Sequence, residues 1–265
     1  MREPTTGGPL RSTTLRRRLD GGDVTVAVAS HSMTSDSVDF LGQFSFDAVW
    51  LEGEHGPVTW DRIGDLSRAA ELWGMAALLR VRTLDPTLIV RGLSLGAHGI
   101  VVPQVTTADE VRTAVAAVRF APLGHRGVTK GRRSWRAPGA TPDDFFVTEN
   151  ANTVLIVQLE SPAALEQIDD IVAVEGVDVV FVAPNDLAQA MGLQGQIDHP
   201  DVVAAVDAAV TRIAASGGVA AGTLCHPDHI ERFVGLGARF LYVTLDEWIR
   251  SGATEYLQEI SAIQK

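Results

Sequence analysis

Several kinds of chemistry are ruled out by what this chain lacks. It has one cysteine, Cys225, so no internal disulfide can form and a multi-thiolate zinc site is excluded. Lysine occurs twice, at Lys130 and at the final residue, Lys265. A Schiff-base mechanism needs a lysine held in a desolvated pocket. Lys130 lies in a polar stretch among arginines and Lys265 is terminal, so neither fits. No apolar run approaches the roughly 20 residues that span a bilayer. The basic N-terminus lacks the apolar stretch of a secretory signal. A soluble, cytoplasmic protein with no membrane partner is therefore expected. A glycine-rich dinucleotide fingerprint, a P-loop and a low-complexity linker are also missing.

What remains is ample for a core: 265 residues, 46% hydrophobic, with a mean hydropathy of +0.12. A barrel of parallel strands and helices takes roughly 250 residues as one domain, so residues 1–265 are expected to form a single domain. The net charge is −11, but residues 1–18 carry +4 and residues 119–136 carry +6. The rest is strongly acidic, which argues against nucleic acid as a partner. The basic segment around Gly124–Arg136 is expected to attract an anionic small molecule.

Short β-branched runs alternate with helix-period segments along the whole chain. Strands are expected at Val24–Ser30, Ala48–Leu51, Ala76–Arg80, Gly99–Val102, Thr153–Leu159, Val177–Ala183, Gly218–Leu224 and Phe240–Val243. Helices are expected between them, for example over Trp60–Trp73, Ala108–Val118, Pro162–Val172, Asp201–Ala215 and Asp228–Gly235. The runs are apolar on both faces, as strands covered on both sides should be. Eight such units predict an α/β fold, a (β/α)8 TIM barrel. Its active site belongs where the strands end. The connection from about Phe120 to Asn150 is long for a barrel loop, and long loops in compact domains are often functional.

Three constellations lie at those ends. Glu160 and Asp186 each close an apolar run (VLIVQLE and VVFVAPND) on neighbouring strands. Converging carboxylates repel unless a proton or cation lies between them, and oxygen ligands without thiolates suit a hard divalent ion. Equally, Glu160 could cap the helix begun by Ser161-Pro162, and Asp186 could sit in an ordinary first turn. His55, in LEGEHGP, has Glu52 and Glu54 beside it and could work as an oriented acid or base, or be a loop histidine bonded to backbone. Arg80 ends AALLR. It could hold a carboxylate or stabilise an enolate, or form a structural ion pair with a neighbouring Glu. Arg82 is closer to solvent by pattern. Cys225, His226 and His229 are read as structural.

Taken together, the segments FDAVWLEGEHGP (46–57), LLRVRTLDP (78–86), LGAHGIVVPQVTTADE (95–110), VQLESPAAL (157–165), VEGVDVVFVAPNDLAQAMG (174–192) and HPDV (199–202) resemble the HpcH/HpaI family of class II 2-oxo-acid aldolases. The resemblance implies that a divalent metal, Mg2+, Mn2+ or Co2+, is held by Glu160 and Asp186. It implies that Arg80 contacts the 2-oxo oxygen and enolate, and that Gln158 lies on the substrate side. The amides of Asn185 and Asp186 would hold the substrate carboxylate, with Ala183 and Leu224 also contacting substrate. His55 would exchange a proton with the acceptor oxygen, partnered by Glu52. The partners it implies are a 2-oxo acid such as pyruvate, an aldehyde, and further copies of the chain in a homo-oligomer, a hexamer with the C-terminal helix packed on a neighbour. Another enolate reaction, citrate-type condensation or oxaloacetate decarboxylation, is the runner-up, and a silent metabolite-binding barrel stands outside the enzyme readings. Two stretches depart from the family pattern. Many members carry Asp where this chain has Glu52, and the loop GVTKGRRSWRAPG is longer and more basic.

Overall fold

The structure is a computed structural model that describes residues 14–128 and 142–263. Eight strands, β1 (Thr25–Ala29), β2 (Ala48–Glu52), β3 (Ala76–Arg80), β4 (Gly99–Val102), β5 (Val154–Leu159), β6 (Val179–Val182), β7 (Ala220–Leu224) and β8 (Ala238–Thr244), close in sequence order into a parallel barrel. Closure comes from β1 against β8, with Ala27 opposite Tyr242. Each expected strand is present, its ends moved by at most two residues.

Side chains alternate in and out along each strand. The inward members, among them Ala27, Ala48, Trp50, Ala76, Leu78, Ile156, Phe181 and Phe240, form a buried cluster inside the barrel. The outward members, such as Val28, Val49, Leu79, Val157 and Val180, form a second cluster beneath the helices. Trp50 fills the middle of the barrel, its ring centroid 5.6 Å from Phe181 and 4.8 Å from Tyr242.

The first helix, α1 (Thr14–Asp20), plugs the end of the barrel opposite the strand C-termini. Leu15 is fully buried in the interior cluster, while Arg18 donates to both Asp47 oxygens and Arg16 pairs with Asp178. The basic stretch at 119–136 is divided. Arg119 is buried, donating to the carbonyls of Asn150, Thr153 and Gly176 and to Asp178. Arg126 is buried beside Glu149 and stacks over Phe120. These two charges are spent inside the fold, so any attraction of an anionic small molecule would fall to the rest of the segment. Lys130, Arg132, Arg133 and Arg136 lie outside the described residues, as does Lys265.

The connecting helices are α2 (Ser35–Gly42), α3 (Trp60–Leu72), α4 (Pro86–Leu95), α5 (Ala108–Val118), α6 (Pro142–Asn152), α7 (Pro162–Glu166), α8 (Ile168–Val172), α9 (Pro184–Ala190), α10 (Pro200–Ala215), α11 (Ile230–Gly235) and α12 (Leu245–Ile263). The single helix expected over 162–172 is two, because Gln167 leaves helical geometry and its amide bonds back to Ala164. The helix expected from Asp228 begins as a 3-10 turn over Pro227–His229. The last helix, α12, has no buried residue. Ile249, Tyr256, Leu257, Ile260 and Ile263 recur at helical spacing on it and are all exposed. No described helix is long and apolar enough to cross a membrane.

Candidate active site

The inward alternation turns polar at the C-terminal ends of the strands. The series 48-50-52 ends in Glu52, 76-78-80 in Arg80, and 154-156-158 in Gln158. A cavity of about 230 Å³ opens there, lined by Trp50, His55, Arg80, Gln158, Phe181, Ala183, Pro184, Asn185, Asp186, Leu224 and Tyr242. Seven expected site residues, His55, Arg80, Gln158, Ala183, Asn185, Asp186 and Leu224, thus share one pocket. Glu52 and Glu160 stand behind its wall.

Glu52 and Arg80 sit opposite one another in the β2–β3 register. Arg80 Nε donates to both Glu52 oxygens at 3.0 and 2.8 Å, and its Nη2 approaches Oε2 at 2.5 Å. Glu52 Oε1 also accepts from the amides of Glu54 and His55. Burial raises the Glu52 carboxyl, but the Arg80 hydrogen bonds and charge with these two amides outweigh it and hold the group below its ordinary value. The loop must turn tightly to reach back in this way. A Cβ on Gly53 would stand 2.6 Å from the Arg80 carbonyl oxygen, and one on Gly56 would stand 2.6 Å from Glu52 Cγ. This is why glycines flank Glu54-His55.

The expected partnership of Glu52 with the His55 ring is therefore corrected. The carboxylate binds the His55 backbone amide and the Arg80 guanidinium, whose two donors leave it no geometry for the imidazole. The ring, 64% exposed, has Glu54 Oε1 at 3.8 Å from Nε2. Arg80 forms the ion pair and also lines the pocket. Nε and Nη2 make an ion pair with Glu52, while Nη1 points across the pocket to Gln158 Oε1 at 3.4 Å and Glu54 Oε2 at 3.2 Å. Arg82 is exposed, as its pattern suggested.

Glu160 follows β5 and is buried. It does not cap α7, since the Ser161 side chain does so by accepting from the Ala164 amide. Its Oε1 is buried with no hydrogen-bond partner among the described residues. Burial, then the charges of Asp186 and Glu54, push its carboxyl up to about 7, against the Gln104 amide and Arg80. Asp186 lies in the first turn of α9 and faces the cavity. The amides of Asn185 and Asp186 fall before the first intrahelical bond, and Ala183 at the N-cap has no side-chain oxygen to offer them. Asn185 and Asp186 both line the cavity.

Sequence reasoning missed Gln104, Tyr242, Trp50, Phe181 and the role of Glu54. Gln104 stands in the left-handed region, φ 56°, donating its amide to Glu160 and its side-chain nitrogen to Glu54 Oε1 at 3.2 Å. Nothing in VVPQV signals that conformation. Trp50 and Phe181 could have been found, because each is the inward residue two before an expected site residue, Glu52 and Ala183; β8 carries no expected site residue to point to Tyr242. Burial pushes the Tyr242 hydroxyl up to about 12, with Arg80 opposing, so it stays a hydrogen-bond donor. Burial raises Glu54 as well, with Arg80 and His55 opposing and Glu52 and Asp186 adding to it. His226, His229 and Cys225 do not enter the pocket, and among the described residues no group of three His, Cys, Asp or Glu could hold a metal unaided.

The family description HpcH/HpaI aldolase/citrate lyase matches residues 26–248. A hydroxypyruvate/pyruvate aldolase of Roseobacter denitrificans is 35% identical over 240 residues, covering 90% of this chain and 93% of that protein. A 5-keto-4-deoxy-D-glucarate aldolase of Shigella dysenteriae is 35% identical over 224 residues, 84% of this chain and 86% of that one. Among solved structures, an HpcH/HpaI aldolase from Desulfitobacterium hafniense superposes with a TM-score of 0.87 at 27% identity, covering 94% of this chain and 97% of its own.

Proposed function

This chain belongs to the HpcH/HpaI aldolase/citrate lyase family and is a carbon–carbon lyase, an aldolase, and from that premise we propose that it joins the enolate of pyruvate, or of a closely related 2-oxo acid, to an aldehyde with the help of a divalent metal. The observation that carries this reading is that Arg80 Nη1 and the amides of Asn185 and Asp186 meet at one pocket, with the Asp186 carboxylate on its wall and Glu160 buried behind it. The 2-oxo acid of a relative's name, hydroxypyruvate/pyruvate aldolase, agrees with it.

The residues fit a metal. An orphaned oxygen on a carboxylate raised to about 7 by burial, and then by the charges of Asp186 and Glu54, is what a cation would relieve. Glu160 and Asp186 would hold it, with substrate or water oxygens completing the shell. Such an ion, Mg2+, Mn2+ or Co2+, would supply Lewis-acid polarisation of the 2-oxo group. The chain does the rest. The amides of Asn185 and Asp186 hold the substrate carboxylate. Arg80 Nη1 faces the oxygen on which negative charge develops, and Gln158 fixes the direction of that donor. Trp50, Phe181, Ala183 and Leu224 keep water from the enolate carbon. His55, on the solvent side, gives a proton to the acceptor oxygen in synthesis and takes it back in cleavage. Tyr242, protonated at neutral pH, is a further donor at the pocket wall.

The whole chain, residues 1–265, is read as one catalytic barrel domain working in the cytoplasm. The apolar face of α12, exposed in the single chain, supports a homo-oligomer in which that helix packs on a neighbour, a hexamer by the family resemblance. The test of the activity is deuterium exchange at C3 of pyruvate, followed by NMR with Mn2+, and product mass after adding an aldehyde. Exchange and an adduct are expected, and neither with any divalent metal would end the reading.

A further inference from the structure

A second cavity, of about 380 Å³, lies beside the first and shares two of its lining residues, Pro184 and Leu224. Leu224 ends β7 and Pro184 opens α9, so the partition between the cavities is one apolar side chain and one proline ring. The second cavity runs outward between the α9–α10 connection, α11 and the start of α12. Ile197, Val203, Val206 and Phe233 form its floor. Its polar lining is Asp198, His226, Asp228, His229, Arg232 and Glu247.

The charge of that lining is one-sided. Arg232 is its one cation among the described residues, and its guanidinium is already engaged by Asp207, with Nε donating at 3.2 Å and Nη2 at 2.6 Å. Asp198, Asp228 and Glu247 add three carboxylates around the same space. A carboxylated or phosphorylated chain entering there would meet like charge, with no unengaged cation among the described lining residues to answer it. A hydroxylated chain would find the opposite, a ring of acceptors and two imidazoles that accept or donate. The apolar floor takes its carbon atoms. In the aldolase reading the first cavity, of about 230 Å³, takes the three-carbon acid and the aldehyde carbon, and a longer acceptor would extend past Leu224 and Pro184 toward the second.

We propose that this second cavity is the subsite for the distal part of the acceptor, and that the acceptor is therefore an uncharged, polyhydroxylated aldehyde and not one with an acidic tail. The proposal rests on the aldolase reading above, and its test separates the two. The protein is assayed with pyruvate, Mn2+ and three aldehydes: glycolaldehyde, which ends at the partition, D-erythrose, which carries a hydroxylated tail through it, and succinic semialdehyde, which carries a carboxylate there. The native chain is expected to favour D-erythrose over succinic semialdehyde in kcat/KM. His229→Trp, which fills the cavity from its open side, should lower kcat/KM for D-erythrose by about tenfold or more. It should leave glycolaldehyde addition and pyruvate C3 exchange as they were. The exposed double substitution Asp198→Lys with Asp228→Lys should move the preference toward succinic semialdehyde, and serves if His229→Trp folds poorly. Equal losses for short and long aldehydes, or a native preference for succinic semialdehyde that the lysines do not change, would overturn the subsite. An absence of both exchange and every aldol product would remove the aldolase reading itself, and the subsite with it.

Discussion

Replacing Glu52 by glutamine keeps the side chain's volume and removes its charge, and the geometry around it fixes what should follow. Arg80 Nε reaches both carboxylate oxygens, Nη2 reaches one of them, and the amides of Glu54 and His55 need an oxygen on the other side. Glutamine has one oxygen. If it faces the amides, its NH2 group faces the guanidinium, donor against donor. The two side chains are only 8% and 13% exposed, so water does not repair the loss. Removing one partner of a buried ion pair costs about 3–5 kcal/mol, and Glu54, 3.2 Å from Nη1, offsets part of it. A net loss of about 2–3 kcal/mol is expected, lowering Tm by roughly 5–10 °C in a domain of this size. Arg80 should swing toward Glu54 and away from the substrate oxygen. Losing such a donor costs about 100- to 1,000-fold in rate. The decisive comparison is between two reactions of the same variant, pyruvate C3 exchange and aldol cleavage. Because Glu52 acts through Arg80, both should fall together. Glu52→Asp, which keeps the charge one methylene short, should recover part of the stability and of both rates. Intact exchange with lost cleavage would show that Glu52 serves His55 after all.

Other substitutions separate the remaining roles. His55→Ala should lose about a hundredfold to ten-thousandfold in aldol cleavage while keeping most of its C3 exchange, since only cleavage needs a proton on the acceptor oxygen; equal losses in a paired assay would place His55 at the C3 proton. Chelation should abolish activity and Mg2+, Mn2+ or Co2+ restore it, while Glu160→Gln or Asp186→Asn should erase metal binding in a calorimetric titration without lowering the Tm of the chelated protein. Full turnover after exhaustive chelation would defeat the metal assignment. Ile249→Asp with Leu257→Asp on α12 should reduce the assembly to smaller species in sedimentation, and an unchanged sedimentation coefficient would mean that this face packs against nothing.

The barrel was legible because its signal is simple. Eight runs covered on both faces, each followed by a helix-period segment, have few other ways to be buried. Helix breaks were less legible, since the fold of 162–172 at Gln167 leaves no Gly or Pro at the break to announce it. The site was legible to the extent that it follows the alternation of the strands. Arg80 and Gln158 are the last inward residues of their runs, and counting by two finds them. Rotamer choice was not legible. Whether Glu52 turns to His55 or to Arg80 depends on the loop folding back over it, which the packing of Gly53 and Gly56 against Arg80 and Glu52 decides. The contribution of Gln104 depends on a positive φ at a residue that rarely adopts one, and no local sequence pattern encodes it. The two buried arginines at 119 and 126 show the limit of charge counting. A run that reads as a basic surface spends its described charges on carbonyls and carboxylates inside the fold.

The charges of the site explain why its parts belong together. Among the described residues, the exposed His55 ring lies beside Glu54, and Arg80 is the one arginine set against Glu52, Glu54 and Glu160. Glu52 takes two of its three nitrogen donors, so the positive charge seen from the pocket is largely neutralised from behind. Burial first, and then repulsion among the carboxylates, raises Glu160 and Glu54. A 2-oxo acid is itself an anion. It would enter such a pocket against the field unless a cation had already joined the carboxylates, for two backbone amides at a helix end contribute only partial charge. On the proposed reading, a cation held at Glu160 and Asp186 would reconcile the acidic wall with the anionic substrate. Arg80 would then discriminate between the neutral 2-oxo oxygen and the negative one that replaces it, and that difference, not tight holding of the acid, would accelerate the reaction.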